Sequence, residues 1–395
     1  MKITWVTRSF LDYRIPVYRA LDGLCGNKLT LIYYTDVVPQ RAKDKVHNVL
    51  DDRAIPLTGE KRLFGAKMGN ASMANTGIRL TFLPGLIDRA KQSQPQVTIS
   101  DGFFQWTYAA LWLRAFKNIP HVMCYERTAH TERNAQWYRR AYRKFVMRWI
   151  DAICCNGRLC GEYVKSLGFP SERITYGHMV ADVYGLRESI AKVTKKQISE
   201  LRIKNDLRGI IFLYVGQLIP RKGLMELLKA WKEFWSNNDT TMATLLIVGD
   251  GVQRSELEQY CKQNRLNNVH FTGSVDYDNL CPFYKAANVF IIPTLEDNWS
   301  LVVPEAMACG LPILCSKYNG CCPEYVTQDN GWVFDPLSTQ GVVKCLKECL
   351  SARDRLANMG KKSLEIINNH TAKQAANAIY SACKTALNNN SQKTK

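Results

Sequence analysis

No apolar run in these 395 residues approaches the ~18–20 residues that a helix needs to cross a bilayer. The opening residues, MKITWVTRSF, reach Thr7-Arg8 before a signal-peptide core can build, so they read as a first strand. With both signals missing, the expectation is a cytoplasmic protein. Metal and disulfide patterns are missing as well. The 14 cysteines are scattered without a Cys-x-x-Cys pair, and several stand in apolar runs (Cys124, Cys154, Cys155, Cys315). They read as buried reduced thiols, which argues against a disulfide framework and a zinc site. No glycine-rich dinucleotide fingerprint follows the first strand, where RSFLDYRIPVYRAL runs on instead.

Acidic residues are the other shortage: 35 Asp and Glu face 53 Lys and Arg, a net charge of +18. The imbalance is uneven, because residues 1–190 hold 28 basic against 16 acidic residues and the remainder 25 against 19. Such a field favours an anionic partner: lipid headgroups, a phosphorylated acceptor or nucleic acid. Composition is otherwise ordinary for a globular chain, and the length implies two domains.

What is present is alternation. Short apolar runs (KITWV, LTLIYY, IRLTFL, QVTIS, HVMCY, AICC, RITYG) alternate with helical patterns in the first half. The second half repeats the plan with IIFLYVG, ATLLIVGD, NVHFTG, VFIIP and PILCS. Nearly continuous apolar strands separated by helices suit a parallel sheet covered on both faces. The expected class is α/β, with two Rossmann-like doubly wound domains facing each other across a cleft that forms the active site. The expected domains are 1–190, 191–370 and a 371–395 segment holding a C-terminal helix and a disordered tail. That last helix is a candidate to pack back toward the first domain. Residues 41–75 read as a long loop or small insertion.

Two junctions carry chemistry. In LYVGQLIPRKGLMELLKAW a strand ends at Gly216, and Arg221-Lys222-Gly223 opens a helix. Cations at a helix N-terminus suit a diphosphate; a solvated basic turn is the plainer alternative. In TLEDNWSLVVPEAMACGLP, Glu296 and Asp297 precede Glu305 and a Gly-Leu-Pro stop. A capped, solvated helix start is the alternative there.

Taken together, VGQLIPRKG, LLIVGDG, VHFTGSV, YKAANVFIIPTLEDNWSLVVPEAMACGLPIL and NGWVFDP resemble the donor-binding domain of family-4 glycosyltransferases of the GT-B architecture. The resemblance covers about residues 210–336. It implies transfer of a hexosyl-type sugar from a UDP- or GDP-sugar with retention at the anomeric carbon. It places Arg221 and Lys222 on the diphosphate, Glu305 on the ribose hydroxyls, and the amides of Ser300, Leu301 and Val302 on phosphates or sugar. Gln217 and Val275 complete the donor-side set; Gln217 stands where the family usually carries arginine. Glu296 is favoured as the acid that meets the sugar, and Asp297 stays open because it has the family spacing from Glu305. No Asp-x-Asp motif stands at a strand end and the cationic pair already meets the leaving group's charge. The enzyme is therefore expected to need no metal or other cofactor.

The first half resembles the family only loosely. Glu126, after HVMCY, stands where many relatives place an active-site histidine, and it is the second catalytic candidate. Arg127 and His130 lie beside it, and Arg8, Asp12, Tyr13 and Arg14 are further acceptor-side candidates. A structural salt bridge from Glu126 to Arg127 or Arg133 is the alternative. Residues 133–149, rich in Arg and aromatics, suit a helix lying on an anionic membrane; the alternative buries the aromatics and solvates the arginines. The resulting expectation is a peripheral protein at the inner membrane face. It would act on a lipid-linked or glycan acceptor in bacterial cell-surface polysaccharide synthesis, without nucleic acid. A nucleotide-sugar epimerase of the same fold, or a non-catalytic basic membrane- or RNA-binding protein, are the competing readings.

Overall fold

The computed structural model describes residues 1–64, 80–235 and 242–393. Its main sheets follow from the apolar runs. Strands β1 (Ile3–Thr7), β2 (Leu29–Tyr34), β3 (Ala54–Leu57), β6 (Val97–Asp101), β7 (His121–Tyr125), β8 (Ala152–Cys155) and β9 (Ile174–Tyr176) form one sheet in the order β3-β2-β1-β6-β7-β8-β9. Every pairing in it is parallel. Between them, β4 (Lys61–Phe64) and β5 (Leu80–Phe82) make a separate antiparallel pair. The described part of the run IRLTFL therefore pairs with β4 and does not enter the main sheet.

The second sheet holds β10 (Ile210–Val215), β11 (Ala243–Val248), β12 (Val269–Gly273), β13 (Val289–Ile292), β14 (Ile313–Ser316) and β15 (Gly331–Phe334) in the order β12-β11-β10-β13-β14-β15. It too is wholly parallel. In both sheets the strand order reverses beside the first strand, the doubly wound plan expected from the alternation. Ligands of such sheets bind beyond the strand C-termini at that reversal. It lies between β1 and β6 in one sheet and between β10 and β13 in the other.

The described chain divides into two compact units, one running up to Val180 and resuming at His370, the other Ala181–Asn369. The change falls ten residues before the expected boundary at 190. Asp182 caps the helix Val183–Lys192 through the Gly185 amide at 3.1 Å, and that helix packs on Cys281–Ala286 and Val302–Ala308 of the second unit. The final helix, Ala372–Lys393, packs on the helix Arg14–Leu24 and on β8. Ala375, Ala376, Ile379, Ala382, Cys383 and Ala386 recur at helical spacing and bury against the same core as Trp5, Val17 and Leu21. Small residues on that stripe let the helix approach closely.

Two sequence expectations need correction. Residues 41–75 are not one long loop: Gln40–Leu50 is a helix that buries Ala42, Val46 and Leu50 at four-residue spacing, and β3 and β4 follow. The remainder of that stretch lies outside the described residues. The end of the chain is helical through Lys393, where composition read as a disordered tail. Asn390 there donates to the Asn118 carbonyl at 3.0 Å, so the asparagine run has partners within the unit.

Candidate functional site

At the reversal of the second sheet, the loop after β10 folds onto the loop after β13. Gly223 makes this possible: its φ is +70°, and a Cβ there would stand 2.1 Å from the Pro293 carbonyl oxygen. The Arg221 carbonyl accepts from the Leu295 amide (2.9 Å), the Glu296 amide (3.2 Å) and Thr294 Oγ1 (3.0 Å). Arg221 Nη1 in turn donates to the Glu296 carbonyl at 3.3 Å. The basic turn and the acidic loop thus become one cluster.

Within it, Lys222 Nζ is bonded to Asp297 Oδ2. Ser300 Oγ donates to the same oxygen, and the Trp299 amide donates to Oδ1 at 3.2 Å. Burial alone would raise the Asp297 carboxyl, but Lys222, the Ser300 hydroxyl and Arg221 hold it below the usual carboxylate range. It stays ionised, with both oxygens engaged. Glu305, on the short helix Val302–Ala308, behaves in the opposite way. Burial pushes its carboxyl up to about 7, opposed only by the hydrogen bond from Tyr284 Oη to Oε2 at 3.0 Å.

The other donor-side candidates lie less centrally. Gln217 is exposed and Val275 half-buried. Leu301 and Val302 are half-buried at the start of the Glu305 helix, where amides have no intrahelical partner. Ser300 differs from the expectation, since its amide turns to Asn319 Oδ1 (3.4 Å) and its hydroxyl to Asp297. An Asp-x-Asp sequence does occur, as Asp276-Tyr277-Asp278, but in the turn beyond β12. Among the described residues no three His, Cys, Asp or Glu side chains are grouped to hold a metal ion.

The first unit has its own cavity, of about 250 Å³, at the reversal between β1 and β6. Glu126, Arg127, Tyr13 and Arg14 line it; Arg8, Asp12 and His130 do not. Arg8 is paired with Glu60 at 2.8 Å, and Asp12 with Arg41 (2.7 Å) and Lys45 (2.9 Å). His130 uses its carbonyl to accept from Arg133. Arg127 reaches the fully buried Glu132 at 3.0 Å, an ion pair the sequence reading did not foresee.

Three lining residues were missed by the sequence reading: Asp101, Arg143 and His178. Asp101 ends β6, His178 follows β9, and Arg143 lies on the helix Trp137–Val146. Arg14 donates to the His178 carbonyl (2.8 Å) and to His178 Nδ1 (3.2 Å), while His178 Nε2 faces the Tyr125 carbonyl at 3.0 Å. A guanidinium can only donate and a carbonyl only accept, so His178 carries its proton on Nε2. Burial and the adjacent Arg14 push the imidazole well below its ordinary value, and it is neutral. Burial alone would lower Arg14 as well, but Tyr13 and Asp101 raise it and it stays charged.

Two family models match consecutive stretches of the chain: Glycosyltransferase Family 4 over residues 49–178 and Glycosyl transferases group 1 over residues 195–365. The chain belongs to glycosyltransferase family 4. Among relatives of this family-4 chain, an uncharacterised glycosyltransferase of Methanocaldococcus jannaschii is 31% identical over 159 residues, 39% of this chain and 40% of the relative. The Escherichia coli UDP-Gal:alpha-D-GlcNAc-diphosphoundecaprenol alpha-1,3-galactosyltransferase is 26% identical over 187 residues, 45% of this chain and 47% of that protein. The chain therefore matches about two fifths of the length of the first of these. Among solved structures, Anabaena HepE in complex with UDP superposes with a TM-score of 0.74 at 15% identity, covering 97% of this chain and 100% of HepE. That likeness shows the fold: the two doubly wound units follow the GT-B plan.

Proposed function

We propose that this family-4 chain transfers a hexosyl-type sugar from a UDP- or GDP-sugar to a hydroxyl of a lipid-linked or glycan acceptor, with retention at the anomeric carbon. The observation that carries the reading is the loop cluster at the β10–β13 reversal, where Arg221, Lys222, Glu296 and Asp297 are tied together by the Arg221 carbonyl and the Lys222–Asp297 bond. Breaking the bond from sugar to phosphate develops negative charge on the departing diphosphate. Arg221 and Lys222 are the groups assigned to meet it, and the bond to Asp297 fixes Lys222 in direction. Glu305 accepts ribose hydroxyls. Glu296 is the acid assigned to orient the sugar. Because the cations meet the leaving group's charge, turnover should survive chelation of divalent metals.

UDP is the first nucleotide to try, since HepE was solved with it. On the acceptor side, Glu126 lines the first unit's cavity and is the group assigned to the attacking hydroxyl. Membrane contact is assigned to the helix Trp137–Val146. Arg139 and Arg143 on it are buried, so the arginines of the helix are not all at the surface. The exposed face carries Trp137 (78% exposed), Tyr138, Tyr142 and Phe145 (51%) beside the exposed Arg140 and Lys144. Aromatics among cations suit an anionic interface, where peripheral attachment would bring a lipid-linked acceptor within reach. Among the described residues no helix is long and apolar enough to cross a membrane.

The test is a panel of UDP- and GDP-sugars incubated with membrane extract, with release of nucleoside diphosphate and the anomeric configuration of the product as readouts. Lys222→Ala should reduce turnover roughly 10²–10³-fold, the usual cost of one contact to developing charge. A correctly folded chain that turns over no member of the panel would overturn the reading.

A further inference from the structure

Strand β13 lies between β10 and β14 in the second sheet, so the loop that follows it is flanked on both sides. The basic turn after β10 grips it from one side. From the other, the loop after β14 lies against it backbone to backbone. The Gly320 amide donates to the Asp297 carbonyl at 3.0 Å, and Asp297 and Asn319 form a parallel bridge. A Cβ on Gly320 would stand 1.8 Å from the Asn298 carbonyl oxygen, so this approach requires glycine.

The side chain that joins the two loops is Asn319, which is fully buried. Its Oδ1 faces the Ser300 amide at 3.4 Å, the Cys321 amide at 3.3 Å and Cys321 Sγ at 3.2 Å. Two backbone N–H groups on that side identify the atom as the oxygen. Asn319 Nδ2 is buried with no hydrogen-bond partner, which costs free energy. The acceptor is thus the half of the amide that this site uses.

Ser300 is held at both ends of its backbone, by Asn319 at its amide and by Cys321 Sγ at 3.8 Å from its carbonyl. Its hydroxyl then points at Asp297 Oδ2, the oxygen that Lys222 Nζ also occupies. Trp299, whose amide donates to Asp297 Oδ1, packs edge-on against Tyr325 of the short helix Cys322–Tyr325, with ring centroids 5.3 Å apart. The Ser300 and Trp299 donors to Asp297 are therefore both fixed from the β14 side.

We infer that Asn319 is a positioning residue for the diphosphate contact, acting on Lys222 through Ser300 and Asp297 without touching substrate. The inference rests on the transferase reading and deepens it: the direction of a phosphate cation on the β10 loop is set from the β14 loop. Without Asn319 Oδ1 the Ser300 amide loses its acceptor, and the Ser300 hydroxyl can turn away from Asp297. Asp297 and Lys222 are then no longer held to one geometry. A preoriented cation needs no reorganisation to meet a phosphate, and a freed one does.

The test is a double-mutant cycle on the full chain, read as UDP and GDP affinity by isothermal titration. Asn319→Ala should weaken the nucleotide that binds about tenfold, the value of one buried hydrogen bond. In a Lys222→Ala background the same change should matter less than roughly twofold, because the cation it positions is gone. A merely structural role would give the same factor in both backgrounds. Ser300→Ala, which removes only the hydroxyl on Asp297, is the second arm if Asn319→Ala does not fold, and its loss should depend on Lys222 in the same way. Equal factors in the two backgrounds, or parent-like affinity of folded Asn319→Ala or Ser300→Ala, overturn the inference while the parent's nucleotide binding stands. A parent chain that binds neither nucleotide overturns the donor reading itself and this inference with it.

Discussion

Lys222 and Asp297 form an ion pair with side chains only 13% and 10% exposed, joining the loop after β10 to the loop after β13. Breaking such a pair by removing one partner leaves a buried charge alone, which costs about 3–5 kcal/mol. Asp297→Ala should therefore destabilise by about that amount in urea unfolding. Removing both, as Lys222→Met with Asp297→Leu, should cost less than the sum of the single changes. Strict additivity would show that the two side chains do not interact. Because the Asp297 carboxyl is held low, the pair's contribution is present above the unfolded value near 3.8 and is lost as pH falls through the folded one.

Glu305 titrates with the opposite sign. Its carboxyl rises from the ordinary 4.5 to about 7 in the folded chain. Below about pH 4.5 both states are protonated and the group is neutral in effect. As pH rises toward 7 the unfolded chain ionises first, so the folded state loses stability, by roughly 3 kcal/mol at 1.36 kcal/mol per unit. Glu305→Gln removes this loss. Its advantage over the parent chain should be small at pH 4.5 and full at pH 8, followed by chemical denaturation at both. An equal gap at the two pH values would contradict the assignment.

Removing side-chain volume from the last helix should damage the first unit, although the two are distant in sequence. Ile379 is fully buried against the β1 core, and Ile379→Ala should cost about 2–5 kcal/mol. Truncation after residue 371 would uncover Trp5, Val17 and Leu21, and the product should be insoluble. A soluble truncated chain with an unchanged melting temperature would refute the packing.

Attachment to anionic vesicles should depend on the exposed face of Trp137–Val146. Trp137→Ser with Phe145→Ser should lower co-sedimentation with phosphatidylglycerol vesicles about tenfold at constant fold, and 0.5 M salt should weaken the parent chain. Equal binding to phosphatidylcholine vesicles would point away from the cationic component.

The second unit was largely legible because its strands are short, apolar and bounded by glycine turns, and its two charged loops sit in recognisable motifs. Pairing was not legible: which strand lies beside which is a long-range outcome, and the place of Asp101 in the first unit's cavity appears only once β6 is found beside β1. The helix Gln40–Leu50 escaped notice because three buried residues are outnumbered by charged ones. Arg139 and Arg143 were expected at the surface on charge alone, yet Glu132, itself hidden, gives Arg143 a buried partner. Which of Glu296 and Asp297 meets the sugar was open on spacing, and nothing in the sequence showed that Asp297 is held by Lys222, Ser300 and the Trp299 amide.

The central claim is the proposal that the loop cluster around Arg221 and Lys222, together with Glu305 on the helix Val302–Ala308, binds a nucleoside-diphosphate sugar. Isothermal titration with UDP and GDP at pH 6 and pH 8 tests it most directly. One nucleotide should bind more tightly at pH 8, where Glu305 is ionised and can accept from ribose hydroxyls. Glu305→Gln should remove that pH dependence, and Lys222→Ala should weaken binding at both values. Binding of neither nucleotide by the folded chain, or binding indifferent to Lys222→Ala, would contradict the account.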